Sequence, residues 1–480
     1  MRIHKTITAL GALLLAAATA SAQTPPKETP PEPGPLRKFD VPPVQTATLP
    51  NGVRIALIEK HSLPIVTSRI QIDAGAVREP AAKSGVAVLT ANILSEGSRS
   101  MTGAEIADKM AALGAQFGTG GSFGSANASV TSLPNVFADA FAIAAKTVTE
   151  PRFDPADFAR VRTNQIASFE QSMSSAAGVA NRTFVAAVYD AATPYSRLSG
   201  GTKASLEALT RDDVVAWHST MYSPKNTTVM FVGDITLAAA RALVEKSFGS
   251  WNVAAPTLPA LTNKVRPVQA NRIILVDRPN SVQSSIIVGQ GTVGWESPDY
   301  FALEGTARVL GGGFGSRINM NLREKHGWSY GAFANFNPLV GAGTFSIASE
   351  IRTGATDSAI AESVREFKRI VDEPVAVTEA KDQINNVVAS FPSSVQTVQG
   401  LMNRLANVVT YGLPSDFYST YRERLAAVTP TDIGRVGKSL LTPSAVTVVA
   451  VGDLKTIEAP IKALNLGTVE VWSVDGQRIR

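Results

Sequence analysis

The side chains that could do chemistry are few, and their spacing excludes more than it offers. The chain has 480 residues, four His and no Cys. Without Cys there is no disulfide, no thiolate nucleophile, no iron–sulfur ligand and no Cys-based zinc site. The histidines are His4, His61, His218 and His326, and none has a second His three to five residues away. The helical His pair that frames many catalytic zinc sites is therefore missing. His61 is expected in a hairpin turn and His218 on a helix after Trp217, both ordinary structural positions. Gly311-Gly312-Gly313-Phe314-Gly315-Ser316-Arg317 invites comparison with a phosphate loop. It lacks the Gly-Lys-Ser/Thr ending and does not open a nucleotide fold, so it is not read as a phosphate loop. Residues 118–124, also Gly-rich, read as a mobile loop or turn, and neither segment is assigned a cofactor.

Charge and targeting narrow the classes further. Lys and Arg number 45 against 40 Asp and Glu, a small excess with no basic block, so nucleic acid binding has no support. A hydrophobic fraction of 44% with 18% charged residues excludes wholesale disorder. Arg2 and Lys5 precede an apolar run from Ile7 to Ala20, closed by Ala20-Ser21-Ala22. A charged start, a short apolar stretch and a small-x-small end read as a signal peptide over 1–22. The run is too short for a helix spanning about 30 Å of hydrocarbon, and no later stretch reaches about 20 apolar residues. No membrane span is expected, and the mature chain is expected outside the cytoplasm, in the periplasm of a Gram-negative source. Residues 23–43 hold eight Pro, which favours an extended linker.

The remainder repeats itself. Residues 227–234 (TTVMFVGD) and 446–453 (VTVVAVGD) are apolar runs ending in Val-Gly-Asp, 219 apart. Pro224 and Pro443 precede them at the same offset, and Leu209-Thr210-Arg211-Asp212-Asp213-Val214 recurs as Val428-Thr429-Pro430-Thr431-Asp432-Ile433. Ala167-Ser168-Phe169 recurs as Ala389-Ser390-Phe391. Such order implies two homologous domains, at 44–255 and 267–470, joined by a Pro-bearing boundary near 254–266.

Within the first half, 53–59 and 64–73 alternate like a hairpin. Residues 85–94 suit a buried helix. Thr102-x-x-Glu105 is a capping box before Ile106, Met110 and Leu113, and Gly114 suits the stop. A strand at 126–133 and helices at 135–148 and 153–169 follow. The fold class is α+β: in each domain, a mixed, mainly antiparallel sheet with helices on one face.

Asn51-Gly52-Val53-Arg54, Gly85-Val86-Ala87, Glu105-Ile106-Ala107, Ala112-Leu113-Gly114-Ala115, Glu150-Pro151-Arg152-Phe153 and Gly200-Gly201-Thr202 stand in the order of one family. Leu322-Arg323-Glu324 and Gly327-Trp328-Ser329-Tyr330 continue it in the second half. From Val44 to Gly467 the chain resembles the insulinase (pitrilysin) peptidases, near the members related to mitochondrial processing peptidase. Active members carry His-x-x-Glu-His on the first long helix, where two His hold Zn²⁺ and the Glu activates water. Here those positions fall on Val88, Ala91 and Asn92. The third ligand falls on Ser168, at a spacing of 76 from Asn92. Val and Ala cannot bind a metal, and neutral Asn and Ser oxygens are poor zinc ligands.

The resemblance assigns Arg323 and Tyr330 to an Arg–Tyr pair that contacts bound peptide. A guanidinium and a phenol both donate to carbonyl oxygens. The family also includes split enzymes, one subunit bearing zinc and the other the Arg–Tyr pair. The resemblance therefore implies a noncatalytic, substrate-binding subunit, inactive alone and binding no cofactor, with zinc in a partner subunit. The alternative is a catalytically inactive peptide-binding or envelope scaffold protein with no peptidase partner.

Overall fold

Two six-stranded sheets, one from each half, organise the residues that the computed structural model describes, which are 40–480 apart from 259, 262 and 268. The expected signal peptide and residues 23–39 of the Pro-rich linker lie outside them. The first sheet holds β1 (Gln45–Thr48), β2 (Arg54–Glu59), β3 (Val66–Ile72), β4 (Gln116–Gly121), β5 (Ala126–Ser132) and β6 (Thr227–Gly233), in the order β1-β2-β6-β3-β5-β4. The second holds β7 (Arg272–Asp277), β8 (Gln283–Thr292), β9 (Ser329–Pro338), β10 (Gly343–Arg352), β11 (Thr447–Gly452) and β12 (Thr468–Trp472), in the order β9-β10-β8-β11-β7-β12.

The hairpin expected of 53–59 and 64–73 does not form. β6 inserts between β2 and β3, parallel to β2 and antiparallel to β3. Burial explains it: β6 is buried at all seven positions, and a strand apolar on both faces belongs inside a sheet. His61 thus sits in a turn that steps over β6. The loop or turn expected at 118–124 is shorter than that, because the chain stays in β4 as far as Gly121, paired with β5. The turn proper is Ser122 to Ser125, closed by a backbone bond of 2.8 Å.

The helices that position the site are α1 (Val86–Ile93), α2 (Gly103–Ala112), α3 (Pro134–Thr149), α4 (Pro155–Met173), α5 (Ala176–Val188) and α6 (Arg211–Met221) in the first half. In the second they are α7 (Tyr300–Gly311), α8 (Thr356–Asp372), α9 (Val398–Tyr411) and α10 (Pro430–Leu440). Local signals set their ends. Thr102 and Glu105 form the expected capping box on α2, and Gly114 follows it at φ +59°. α6 and α10 begin and end 219 residues apart, each opened by a Thr–Asp box, Thr210/Asp213 and Thr429/Asp432. The repeat is therefore one of structure. It breaks at the outer strand, where β1 runs antiparallel to β2 but β12 runs parallel to β7.

The halves exchange helices. α5, from the first half, lays Val179, Phe184 and Val188 on Ile274, Ile287, Val449 and Trp472 of the second sheet. Each such side chain, fully buried, stabilises by about 1.5–3 kcal/mol. α9, from the second half, lies on the first sheet through polar contacts. Gln71 Nε2 donates to Thr410 Oγ1 at 3.1 Å, and Arg69 donates to Asn403 Oδ1 at 3.3 Å.

Candidate functional site

α1 carries Val88, Ala91 and Asn92. It is opened by Gly85 at φ +95°, and the buried Glu79 caps it from outside. Glu79 accepts from the Gly85 amide at 2.9 Å and the Ala87 amide at 3.2 Å. Burial outweighs these bonds and pushes its carboxyl up to about 7. Ala91 is fully buried. The edge strand β4 closes over α1 at Gly121, where an added Cβ would lie 2.8 Å from Val88 Cα and 3.2 Å from Ala91 Cβ. Only glycine fits there, and its backbone fills the space beside the helix.

Asn92 donates from Nδ2 to Gln165 Oε1 on α4 at 3.1 Å, and Gln165 Nε2 donates to the Gly200 carbonyl at 2.8 Å. Ser168, one turn further along α4, is exposed, and its hydroxyl donates to the Asn164 carbonyl at 2.9 Å. Val88, Ala91 and Asn92 are thus together, while the α4 residue that meets them is Gln165. This donor set does not fit zinc: two hydrocarbon side chains and an amide already committed to another amide.

The histidines are dispersed. His61 Nδ1 lies 2.6 Å from Asp234 and Nε2 lies 3.5 Å from Glu59, and the two carboxylates raise its pKa. His218 Nε2–H donates to the Val148 carbonyl at 2.8 Å, and burial lowers its pKa to about 4. His326 stacks on Trp328 with ring centres 4.0 Å apart. Among the described residues no three His, Asp or Glu side chains are grouped to hold a metal ion.

The second half is built differently. α7 ends at Gly311, where a Cβ would lie 1.9 Å from the Ala334 amide nitrogen of β9. The Gly turn then leads into a helical segment, Arg317–Asn319, which widens into a π-helical turn at Met320–Lys325. The bond from His326 N to the Asn321 carbonyl, at 3.2 Å, spans five residues. Such turns are rare and concentrate at functional sites.

Arg323 lies on this turn with a side chain 41% exposed. Its guanidinium sits 4.6 Å over the Phe314 ring, and Nε lies 3.3 Å from Glu324. Buried amides hold the turn. Asn319 Nδ2 donates to the Phe314 carbonyl at 2.7 Å, and Asn319 Oδ1 accepts from the Ala332 amide at 3.3 Å. Asn321 Nδ2 donates to Glu362 at 2.7 Å and Glu366 at 2.8 Å, both on α8.

Gly327, at φ +63°, turns the chain into β9. Pairing of β9 with β10 slips between Ser329 and Ala332, so Tyr330 and Gly331 form a bulge. Ser329 and Ser349 pin it: their hydroxyls are 2.7 Å apart, and Ser349 Oγ donates to the Gly331 carbonyl at 2.8 Å. Tyr330 is 89% exposed, and Phe314, Met320 and Phe333 are exposed as well. β9 is an edge of its sheet. The arrangement offers a guanidinium, a phenol and an apolar surface next to a strand with one side unpaired.

Sequence reasoning did not single out Phe314, Asn319, Asn321, Gln165 or Glu79. The one local signal was Asn-x-Asn-x-Arg soon after the Gly turn, two amides beside the apolar Ile318 and Leu322.

Two family models match the chain. One, described as insulinase (peptidase family M16), matches residues 54–197, and the other, described as the peptidase M16 inactive domain, matches residues 208–387. An uncharacterized zinc protease of Streptomyces coelicolor is 22% identical over 245 residues, covering 50% of this chain and 53% of that protein. The match therefore spans about half the length of that relative. The non-peptidase homolog YmxG of Helicobacter pylori is 20% identical over 394 residues, 80% of this chain and 88% of that one. The crystal structure of a peptidase M16 inactive domain from Pseudomonas fluorescens matches with a TM-score of 0.78 at 25% identity, over 85% of this chain and 98% of that one.

Proposed function

The chain belongs to the insulinase family, peptidase family M16, as an inactive homologue, and we propose that it is the substrate-binding, noncatalytic subunit of a heterodimeric periplasmic zinc endopeptidase. In this reading a partner subunit supplies His-x-x-Glu-His and its zinc. This chain supplies Arg323 and Tyr330 to the peptide backbone near the bond to be cut. A guanidinium and a phenol O–H would donate to peptide carbonyls and to the oxyanion that forms there.

One observation carries the reading. The metal positions hold no ligand side chain, with Ala91 buried and Asn92 committed to Gln165, whereas Arg323 and Tyr330 stay exposed on a π turn and a bulge that polar bonds hold in place. A pure scaffold has no need to keep that geometry. The outer edge of β9, beyond the Ala332 amide that Asn319 holds, suits an extended peptide, which would gain main-chain hydrogen bonds with little sequence preference.

The test is reconstitution. The purified chain is expected to give no zinc-dependent cleavage of a fluorogenic peptide library. Its complex with the zinc-bearing subunit is expected to cleave at least about tenfold faster than that subunit alone, the gain from one added charge-assisted hydrogen bond. Zinc-dependent cleavage by this chain alone would overturn the reading. A second reading, an envelope scaffold or peptide-binding protein without a peptidase partner, draws on the similarity to YmxG, which is named a non-peptidase homolog.

A further inference from the structure

A cavity of about 310 Å³, lined by neither Arg323 nor Tyr330, opens where α9 ends over the first sheet. Both halves line it, and the peptide-contact reading gives it no role. Arg54 and Asp73 come from the first half, and Leu339, Val340 and Tyr411 from the second. Arg54 Nε donates to Thr228 Oγ1 at 3.0 Å, and among the described residues no acceptor meets its two terminal nitrogens. Asp73 accepts from Arg78 at 3.3 Å on Oδ1 and 3.1 Å on Oδ2; its side chain remains 38% exposed, and each oxygen keeps a lone pair for a further donor. Leu339, Val340, Tyr411 and Phe123 supply an apolar wall.

A free guanidinium, an accessible carboxylate and an apolar wall in one small cavity define a ligand class. The guanidinium calls for an anion, most directly a carboxylate. Arg78 also lines the cavity and pairs with Asp73, so an ammonium group would share that carboxylate through its remaining lone pairs. The volume, set against about 30 Å³ per water molecule, limits the ligand to roughly a dozen heavy atoms. We propose that this cavity binds a free dipeptide as its zwitterion, with the terminal carboxylate on Arg54, the terminal ammonium on Asp73 and an apolar side chain against Leu339 and Val340. The site is independent of the peptide contact assigned to Arg323 and Tyr330. Because residues 409–412 belong to its wall, the bound ligand fastens the second half to the first.

The probe is L-alanyl-L-leucine, titrated into the purified chain by calorimetry and by thermal melting. Saturable one-to-one binding with a rise in Tm is expected. N-acetylation of the dipeptide, and separately amidation of its carboxylate, should each weaken binding at least about tenfold, the scale of one charge-assisted hydrogen bond. Arg54→Ala should do the same, and circular dichroism checks that the variant folds. If it does not fold, the blocked peptides on the unaltered chain still decide. No saturable binding up to about 10 mM, weaker than any useful affinity, would overturn the proposal. So would equal binding of the free and blocked peptides, or unchanged binding by folded Arg54→Ala.

Discussion

α1 and the turn that carries Arg323 occupy the two halves of one duplicated fold and have been treated in opposite ways. Around α1 the ligand positions are hydrocarbon or committed amide, and Gly121 brings the neighbouring strand into contact with them. Around Arg323 the backbone is irregular, the side chains are exposed and the supporting polar network is buried. That support costs stability: Asn321 Oδ1 and Arg317 Nη1 are buried with no hydrogen-bond partner. A region that gave up its chemistry was free to pack like a core. The turn that carries Arg323 keeps an irregular backbone that costs stability.

The comparison breaks first at Ala91. If the space beside α1 is filled, Ala91→Glu must bury an unpaired charge, and urea denaturation should show a loss of about 3–5 kcal/mol. A loss under about 1 kcal/mol would mean that the site is still open.

Glu79, at the head of α1, gives the next largest effect. Its folded pKa is raised from 4.5 to about 7, so the protonated form is favoured in the folded chain. The stabilisation it gives is complete below about pH 4.5 and is lost as the pH rises through 7. At 1.36 kcal/mol per pKa unit the loss is at most about 3 kcal/mol. Glu79→Gln should flatten this part of the stability profile between pH 5 and 8, and an unaltered slope would place the titration elsewhere.

Arg323→Ala sharpens the other side. In the assembled complex it should lower peptide turnover about 10- to 100-fold, the worth of a hydrogen bond to a charged group, and leave assembly unchanged by gel filtration. Tyr330→Phe, which removes one neutral donor, should cost about fivefold. Equal turnover in both variants would end the peptide-contact role.

Much of this architecture was legible in the chain because it rests on local chemistry. The 219-residue repeat could be read from Thr210/Asp213 and Thr429/Asp432, since a capping box needs only residues three apart. What escaped depended on distant partners. The apolar run of β6 announced burial, but not that it would separate β2 from β3. Gly118 to Gly121 looked like a loop because glycine disfavours strands, and only the approach of α1 explains glycine at the last of these positions. The exchange of α5 and α9 was out of reach, because an amphipathic helix does not say which sheet it will cover. At the site, counting residues led to Ser168, whereas the geometry brings Gln165 to Asn92. Asn319 and Asn321 carried no visible role because their partners, Ala332, Glu362 and Glu366, are 13, 41 and 45 residues away.

The most direct test of the proposed division between a metal-free half and a peptide-binding half is a tagged purification from the native host, with co-purifying proteins identified and their stoichiometry counted. The account predicts a near one-to-one partner of the same family that carries His-x-x-Glu-His. Recovery of this chain without such a partner under gentle extraction, alone or only with copies of itself, would contradict it.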